Sequence, residues 1–172
     1  MREVIVCSYN PDWILRFKHE AEKLQEVFIS EDIIIYHIGS TAIPGLKAKP
    51  IIDIMVVIDN IVRVDQYVDG MRNLGYEPKG ENGIPGRCYF QKGGDRRSHH
   101  VHVFEVGSPD IDRHLAFRDY LNTYPNDKHR YGDLKYDLAK AYPHDVASYI
   151  KGKESLVEEI EAKAIHWYHA QL

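Results

Sequence analysis

Cysteine is nearly absent from this chain: Cys7 and Cys88 are the only two among 172 residues, far apart and without a C-x-x-C spacing. That count excludes a disulfide framework and a thiolate zinc cage, and it suits a reducing compartment. Long apolar runs are missing as well. The longest, Ile54 to Ile58, is far shorter than the roughly 20 residues of a membrane helix. The start, Met1-Arg2-Glu3-Val4, carries no extended apolar stretch of the kind a secretory signal needs, so a soluble cytoplasmic protein is expected. An excess of positive charge is also lacking. With 22 Lys and Arg against 26 Asp and Glu the formal net charge is −4, so no global field holds a polyanion and nucleic acid is disfavoured as a partner. Repeats and low-complexity segments are absent, which excludes solenoids and flexible linkers.

What is present describes an ordinary globular chain, 44% apolar and 28% charged, of a length that suits one domain over residues 1–172. Twelve tyrosines and ten histidines are the unusual numbers. Both side chains have polar or titratable tips, and a polar cleft that accepts a ligand follows from them. Asn10 as cap, Pro11 at the first helical position, and Trp13, Phe17, Ala21, Leu24 and Phe28 at helical spacing predict an amphipathic helix. The β-branched runs Ile33 to Ile38 and Ile51 to Ile58 predict two buried strands, separated by a loop containing Pro44, Gly45 and Pro50. Asn60 as cap and Gly75 as stop bound a second helix. Arg87 to Lys92 and His99 to Val106 form a hairpin around Gly93-Gly94-Asp95. From residue 108 onward the pattern is helical, with one segment beginning at Pro125 and a last helix lined by Leu156, Ile160, Ala164 and Trp167. The expected division is a mixed sheet core over 1–107 and a helical extension over 108–172.

Several residues can carry chemistry. Gly39-Ser40-Thr41 closes a strand and offers backbone N–H groups and two hydroxyls to phosphate oxygens, although a Gly-Ser pair is equally an ordinary turn. Asp53 lies inside the apolar run Ile51-Ile52-Asp53-Ile54-Met55, where a carboxylate needs a cation or hydrogen-bond donors to be buried. Strand alternation puts His100 and His102 on one face, able to bind phosphate, to complete a metal site with Asp53, or simply to face solvent. Arg87, Lys92, Arg96 and Arg97 concentrate positive charge beside them, a local asymmetry that favours a phosphorylated small molecule. Lys135 and Lys153 lie on helical segments and read as helix-surface charges that can also reach a ligand.

Distinctive blocks run through nearly the whole chain. They are Pro11-Asp12-Trp13, His37-Ile38-Gly39-Ser40-Thr41-Ala42-Ile43-Pro44-Gly45-Leu46, Lys49-Pro50-Ile51-Ile52-Asp53-Ile54, His100-Val101-His102-Val103, His114-Leu115-Ala116-Phe117-Arg118-Asp119-Tyr120-Leu121, Leu134-Lys135 and Gly152-Lys153. Together they resemble the GrpB family, a divergent branch of the nucleotidyltransferase superfamily. The resemblance implies an α+β fold, a nucleotidyltransferase-like mixed sheet flanked by helices with a helical C-terminal part. It also implies that Gly39-Ser40 is the superfamily's phosphate-contacting element. Two acids, D-x-D, usually alternate on the next strand so that both grip a metal. Asp53 matches the second, and Ile51 stands in the first slot.

On that resemblance Asp53 and His102 are the expected catalytic residues, and Gly39, Ser40, Thr41, Lys49, Arg87 and Arg97 the expected substrate contacts. Asp53, His100, His102 and His37 are the expected ligands of a divalent metal: magnesium or manganese by the family's chemistry, zinc or nickel by the preference of imidazole. The implied activity is transfer of a nucleotidyl group from a nucleoside triphosphate to an unknown hydroxyl. A noncatalytic module that binds a nucleotide or other phosphorylated small molecule is the alternative that Ile51 favours. A metal-dependent phosphate-ester hydrolase is the alternative that the histidine pair favours.

Overall fold

The structure is a computed structural model that describes residues 2–172. Five strands form one sheet in the order β1-β2-β5-β4-β3. They are β1 Ile33–Ile38, β2 Ile52–Ile58, β3 Tyr76–Pro78, β4 Cys88–Lys92 and β5 His99–Glu105. Only the β2–β5 pair is parallel, so the sheet is mixed. The helices are α1 Asp12–Val27, α2 Val68–Asn73, α3 Pro109–Thr123, α4 Pro125–Ala141 and α5 Val146–Ala170. This is the α+β arrangement expected: α1 and α2 lie before and among the strands, and α3, α4 and α5 follow the last strand. None of the described helices is long and apolar enough to cross a membrane.

Local chemistry sets the helix starts. The Asn10 side chain accepts from the Asp12 N–H at 2.9 Å, Ser108 caps α3 ahead of Pro109, and Asp145 caps α5 through the Ser148 N–H. The segment after Asn60 differs from its expected form: a 3-10 stretch, Ile61–Tyr67, precedes the short α2. Branching at Ile61, Val62 and Val64 crowds the preceding turn of an α-helix, which accounts for the tighter winding. Strand β2 begins at Ile52, one residue later than its apolar run. The sequence pattern does not reveal β3, three residues long with Pro78 in an edge strand where a missing N–H is harmless.

Layering follows from β2, the strand most nearly apolar on both sides. One sheet face carries Ile52, Ile54, Val56, Ile58, Val101 and Val103 and packs on Trp13, Leu24 and Phe28 of the α1 region. The other carries Met55, Val57 and Phe104 against Leu115 of α3. Beyond it α3, α4 and α5 share a second core built on Ala116, Leu121, Tyr131, Ile160 and Ala164. Asp53 is the polar exception in β2, placed near the start of the strand and paired in register with Ile38 and with His100. The space between the sheet's second face and the three late helices is therefore where chemistry can be housed.

Phe28 is fully buried, whereas Leu15 on the outer side of α1 is 54% exposed. Phe28→Ala is expected to lower unfolding stability by about 3–5 kcal/mol and Leu15→Ala to change it by less than about 0.5 kcal/mol. Denaturant midpoints at constant m-value check both.

Candidate functional site

The turn after β1 brings the phosphate-type loop against Asp53. Gly39 has φ 71°, and a Cβ built there would stand 2.7 Å from Asp53 Oδ2, so the position demands glycine for its backbone and for its neighbour. Ser40–Ala42 then makes one 3-10 turn. Within it Ser40 Oγ accepts a hydrogen bond from Lys135 Nζ of α4 at 2.8 Å.

Lys135 is 2% exposed, and among the described residues no carboxylate pairs with it. Its ammonium lies 4.4 Å from the centre of the Tyr131 ring, one helical turn earlier. Lys49, from the loop before β2, and Lys153 of α5 sit over the Tyr149 ring at 4.9 and 5.2 Å. Burial, followed by the charges of Lys153 and Lys49, pushes the Lys135 ammonium well below its ordinary pKa. Burial and Lys153 likewise bring Lys49 down to about 8. These lysines, Ser40, Thr41, Asp53 and His100 line a cavity of 170 Å³. A wider cleft of 530 Å³ shares Ser40, Asp53 and Lys153 with it and adds Gly39, Phe117, Tyr131 and Glu154.

Asp53 is held by two parallel relays. His100 Nδ1 and His102 Nε2 each lie 3.2 Å from Asp53 Oδ1. The far nitrogens face guanidinium groups: Arg97 Nη1 lies 3.2 Å from His100 Nε2, and Arg87 Nη1 lies 3.1 Å from His102 Nδ1. A guanidinium only donates, so the nitrogen it meets must be bare and the proton must sit on the nitrogen facing Asp53. Both imidazoles are thereby fixed as opposite neutral tautomers that donate to one carboxylate oxygen. Burial alone would raise the Asp53 carboxyl, but the donors His100 and His102 outweigh it and hold the group well below the usual carboxylate range. Oδ2, turned toward Gly39, receives no hydrogen bond from the described residues.

The expected residues are thus partly assembled. Gly39, Ser40, Thr41, Lys49, Asp53 and His100 border the two connected cavities, and His102 stands behind Asp53. Arg87 is 6% exposed, and its other donors go to the carbonyls of Glu81 and Asn82, so it braces His102 and does not reach into the cavity. Arg97 braces His100 and the Gly94 carbonyl. The four expected metal ligands do not come together. His37 is in register with Ile54, which puts it on the opposite sheet face from Asp53. There it stacks on Phe17 and pairs with Thr41 Oγ1 at 2.9 Å. Among the described residues no group of three or more His, Cys, Asp or Glu side chains is arranged to hold a metal ion.

The residues also decide what kind of metal fits. A transition metal needs bare imidazole nitrogens, and those facing Asp53 carry protons. A two-metal centre needs a second carboxylate, and Ile51 has none. A single hard cation arriving with a ligand's phosphates asks less of the protein, because magnesium keeps several waters and needs one or two carboxylates, and Asp53 is the residue that would hold it.

Sequence reasoning gives one contributor a surface position and passes over another. Lys135 reads as a surface charge beside Leu134 and Leu138, but the buried row of α4 is Asp127, Tyr131, Lys135 and Ala139, and that i, i+4 ladder is the signal that finds it. His114 of α3 lines the wider cleft with its ring 5.3 Å from that of His102; burial lowers it to about 3, so it is neutral.

Comparison with known proteins agrees with this architecture. The family model described as GrpB protein matches residues 3–163. The chain is 48% identical to the UPF0157 protein YqkA of Bacillus subtilis over 166 residues, which is 96% of this chain and 48% of that protein, so it spans about half the length of that relative. The crystal structure of conserved protein GrpB from Enterococcus faecalis aligns with a TM-score of 0.91 at 40% identity, covering 95% of this chain and 99% of that one. A structure of the Cid1 poly(U) polymerase with Mg 3′-dATP bound aligns with a TM-score of 0.52 at 14% identity, over 80% of this chain and 43% of the other. At that identity the likeness is one of fold, and the fold is nucleotidyltransferase-like.

The relay geometry makes a spectroscopic prediction. In long-range ¹⁵N spectra at neutral pH, His102 is expected as the Nε2–H tautomer and His100 as the Nδ1–H tautomer. Arg87→Ala should release the His102 tautomer and leave that of His100 in place. Two doubly protonated imidazoles would contradict the relay.

Proposed function

Because this chain belongs to the GrpB family and has a nucleotidyltransferase-like fold, we propose that its lysine-lined cavity binds the phosphates of a nucleotide or of a similarly phosphorylated small molecule. One observation carries the reading: Lys135 is buried with a serine hydroxyl as its hydrogen-bond partner, between two further lysines. An uncompensated buried cation costs several kcal/mol, and an anionic ligand is what offsets it. Asp53 supplies one negative charge nearby, fewer than the three ammonium groups call for.

Each residue then has a task. Lys135 holds Ser40 Oγ in place and, with Lys49 and Lys153, meets phosphate oxygens. The Gly39-Ser40 turn offers backbone donors. In the wider cleft Phe117 and Tyr131 provide apolar surface for the rest of the ligand. Asp53 Oδ2 would hold a magnesium ion bound to the phosphates, and such an ion neutralises charge on them.

A second reading, nucleotidyl transfer to a hydroxyl, is favoured by the ionised Asp53 with an oxygen turned toward the Gly39 turn. Ile51 in place of a second acid favours binding without transfer. The hydrolase alternative loses its motive, since both imidazoles beside Asp53 have both nitrogens engaged.

Calorimetric titration with nucleoside triphosphates and magnesium tests binding. Lys135→Met should weaken it at least roughly tenfold with no loss of folding stability, because it removes a buried charge. Affinity should also fall as pH rises through about 8, since Lys49 is charged below that value and neutral above it. Unchanged affinity in the variant refutes the site. Pyrophosphate release is expected only if the transfer reading holds. Its absence in a wild-type protein that binds the nucleotide would assign binding alone.

A further inference from the structure

A second cavity, of 590 Å³, lies beside the lysine cavity and shares Lys49 and Ile51 with it. Its charged lining is four basic side chains, Arg2, Lys49, Arg96 and Arg97, against two acidic ones, Glu3 and Asp95. That excess runs against the chain's net charge of −4. The basic groups also press on one another. Burial, then Arg97, lowers the Arg2 guanidinium, and Arg2 and Arg97 both contribute to the lowering of Lys49. Arg97 is held through Nε by Gly94 O and through Nη1 by His100, which among the described residues leaves Nη2 uncommitted beside this space, while Arg96 is exposed at its rim. The shared wall at Ile51 is uncharged, so nothing there repels an anion approaching from either side.

We propose that this cleft is a second anion site, which takes a phosphate-bearing small molecule. Arginine forks match phosphate oxygens bidentately, and the volume suits a small ligand. A polymer is disfavoured because the chain's net charge is −4. Lys49 borders both cavities, and Arg2, Arg96 and Arg97 belong to this one alone. The site is distinct from the Ser40–Lys135 cavity and does not depend on what binds there.

Calorimetric titration with inorganic pyrophosphate on the full chain tests the proposal, using wild type, Arg96→Glu and Lys135→Met. Arg96 is exposed and outside the Asp53 relays, so its substitution leaves the fold and the lysine cavity intact. Two binding events are expected in wild type. Arg96→Glu should weaken one of them roughly tenfold or more and spare the other, and Lys135→Met should do the reverse. A single event in wild type overturns the second site, as does an Arg96→Glu isotherm that matches wild type. Loss of the same event in both variants would merge the cavities into one and overturn it as well. If Arg96→Glu removes one event while Lys135→Met removes none, the second site stands and the lysine-cavity reading falls.

Discussion

A lysine ammonium kept out of water with a hydroxyl for its hydrogen-bond partner is the constraint around which this structure is arranged. Lys135 occupies a core position on α4, in the same buried row as Tyr131 and Ala139. Helix packing therefore fixes the charge, and it cannot swing out to solvent. Ser40 and the Tyr131 ring soften the desolvation without neutralising it. Lys49 and Lys153 deepen the deficit from two other segments. Asp53 opposes these effects without outweighing them, and on the proposed reading an anionic ligand supplies the rest.

The sheet side of the cavity answers a different problem. β2 is apolar except for Asp53, and β5 lies parallel to it so that His100 and His102 reach the same carboxylate oxygen. Each imidazole is oriented from behind by an arginine, one anchored to the loop before β4 and one to the β4–β5 turn. The result is an anion fixed in position with one oxygen committed and the other turned toward Gly39. Three lysines and this one carboxylate line the same cavity. Glycine at 39 is what lets the turn and the carboxylate approach each other so closely.

Much of the framework was legible from the sequence because it depends on local rules. Asn10 and Pro125 announce helix starts, and β-branched runs announce β1 and β2. Asp53 stood out because a carboxylate in such a run must have donors, although nothing in the spacing named the Arg–His relays that supply them. Arg87 read as a ligand contact because the sequence shows charge and not direction; the loop carbonyls of Glu81 and Asn82 turn it inward, whereas Arg97, held by Gly94 and His100, still lines the cleft beside Lys49. His37 read as a metal ligand because it adjoins the Gly39-Ser40 loop in sequence, and the β1–β2 register puts it on the opposite face from Asp53. Lys135 was the hardest, since burial of a helical lysine is decided by tertiary packing and helix propensity is silent about it.

The most direct measurement is the ionisation of Lys135 itself, followed by ¹³C NMR of its ε-carbon in protein labelled at lysine, with the signal assigned by its loss in Lys135→Met. Without ligand it should titrate far below an ordinary lysine, because burial and two like charges oppose the proton. Saturating tripolyphosphate should move that titration upward by more than one pH unit, the equivalent of about 1.4 kcal/mol. A Lys135 that titrates normally in the free protein, or that ignores the polyphosphate, would contradict the account.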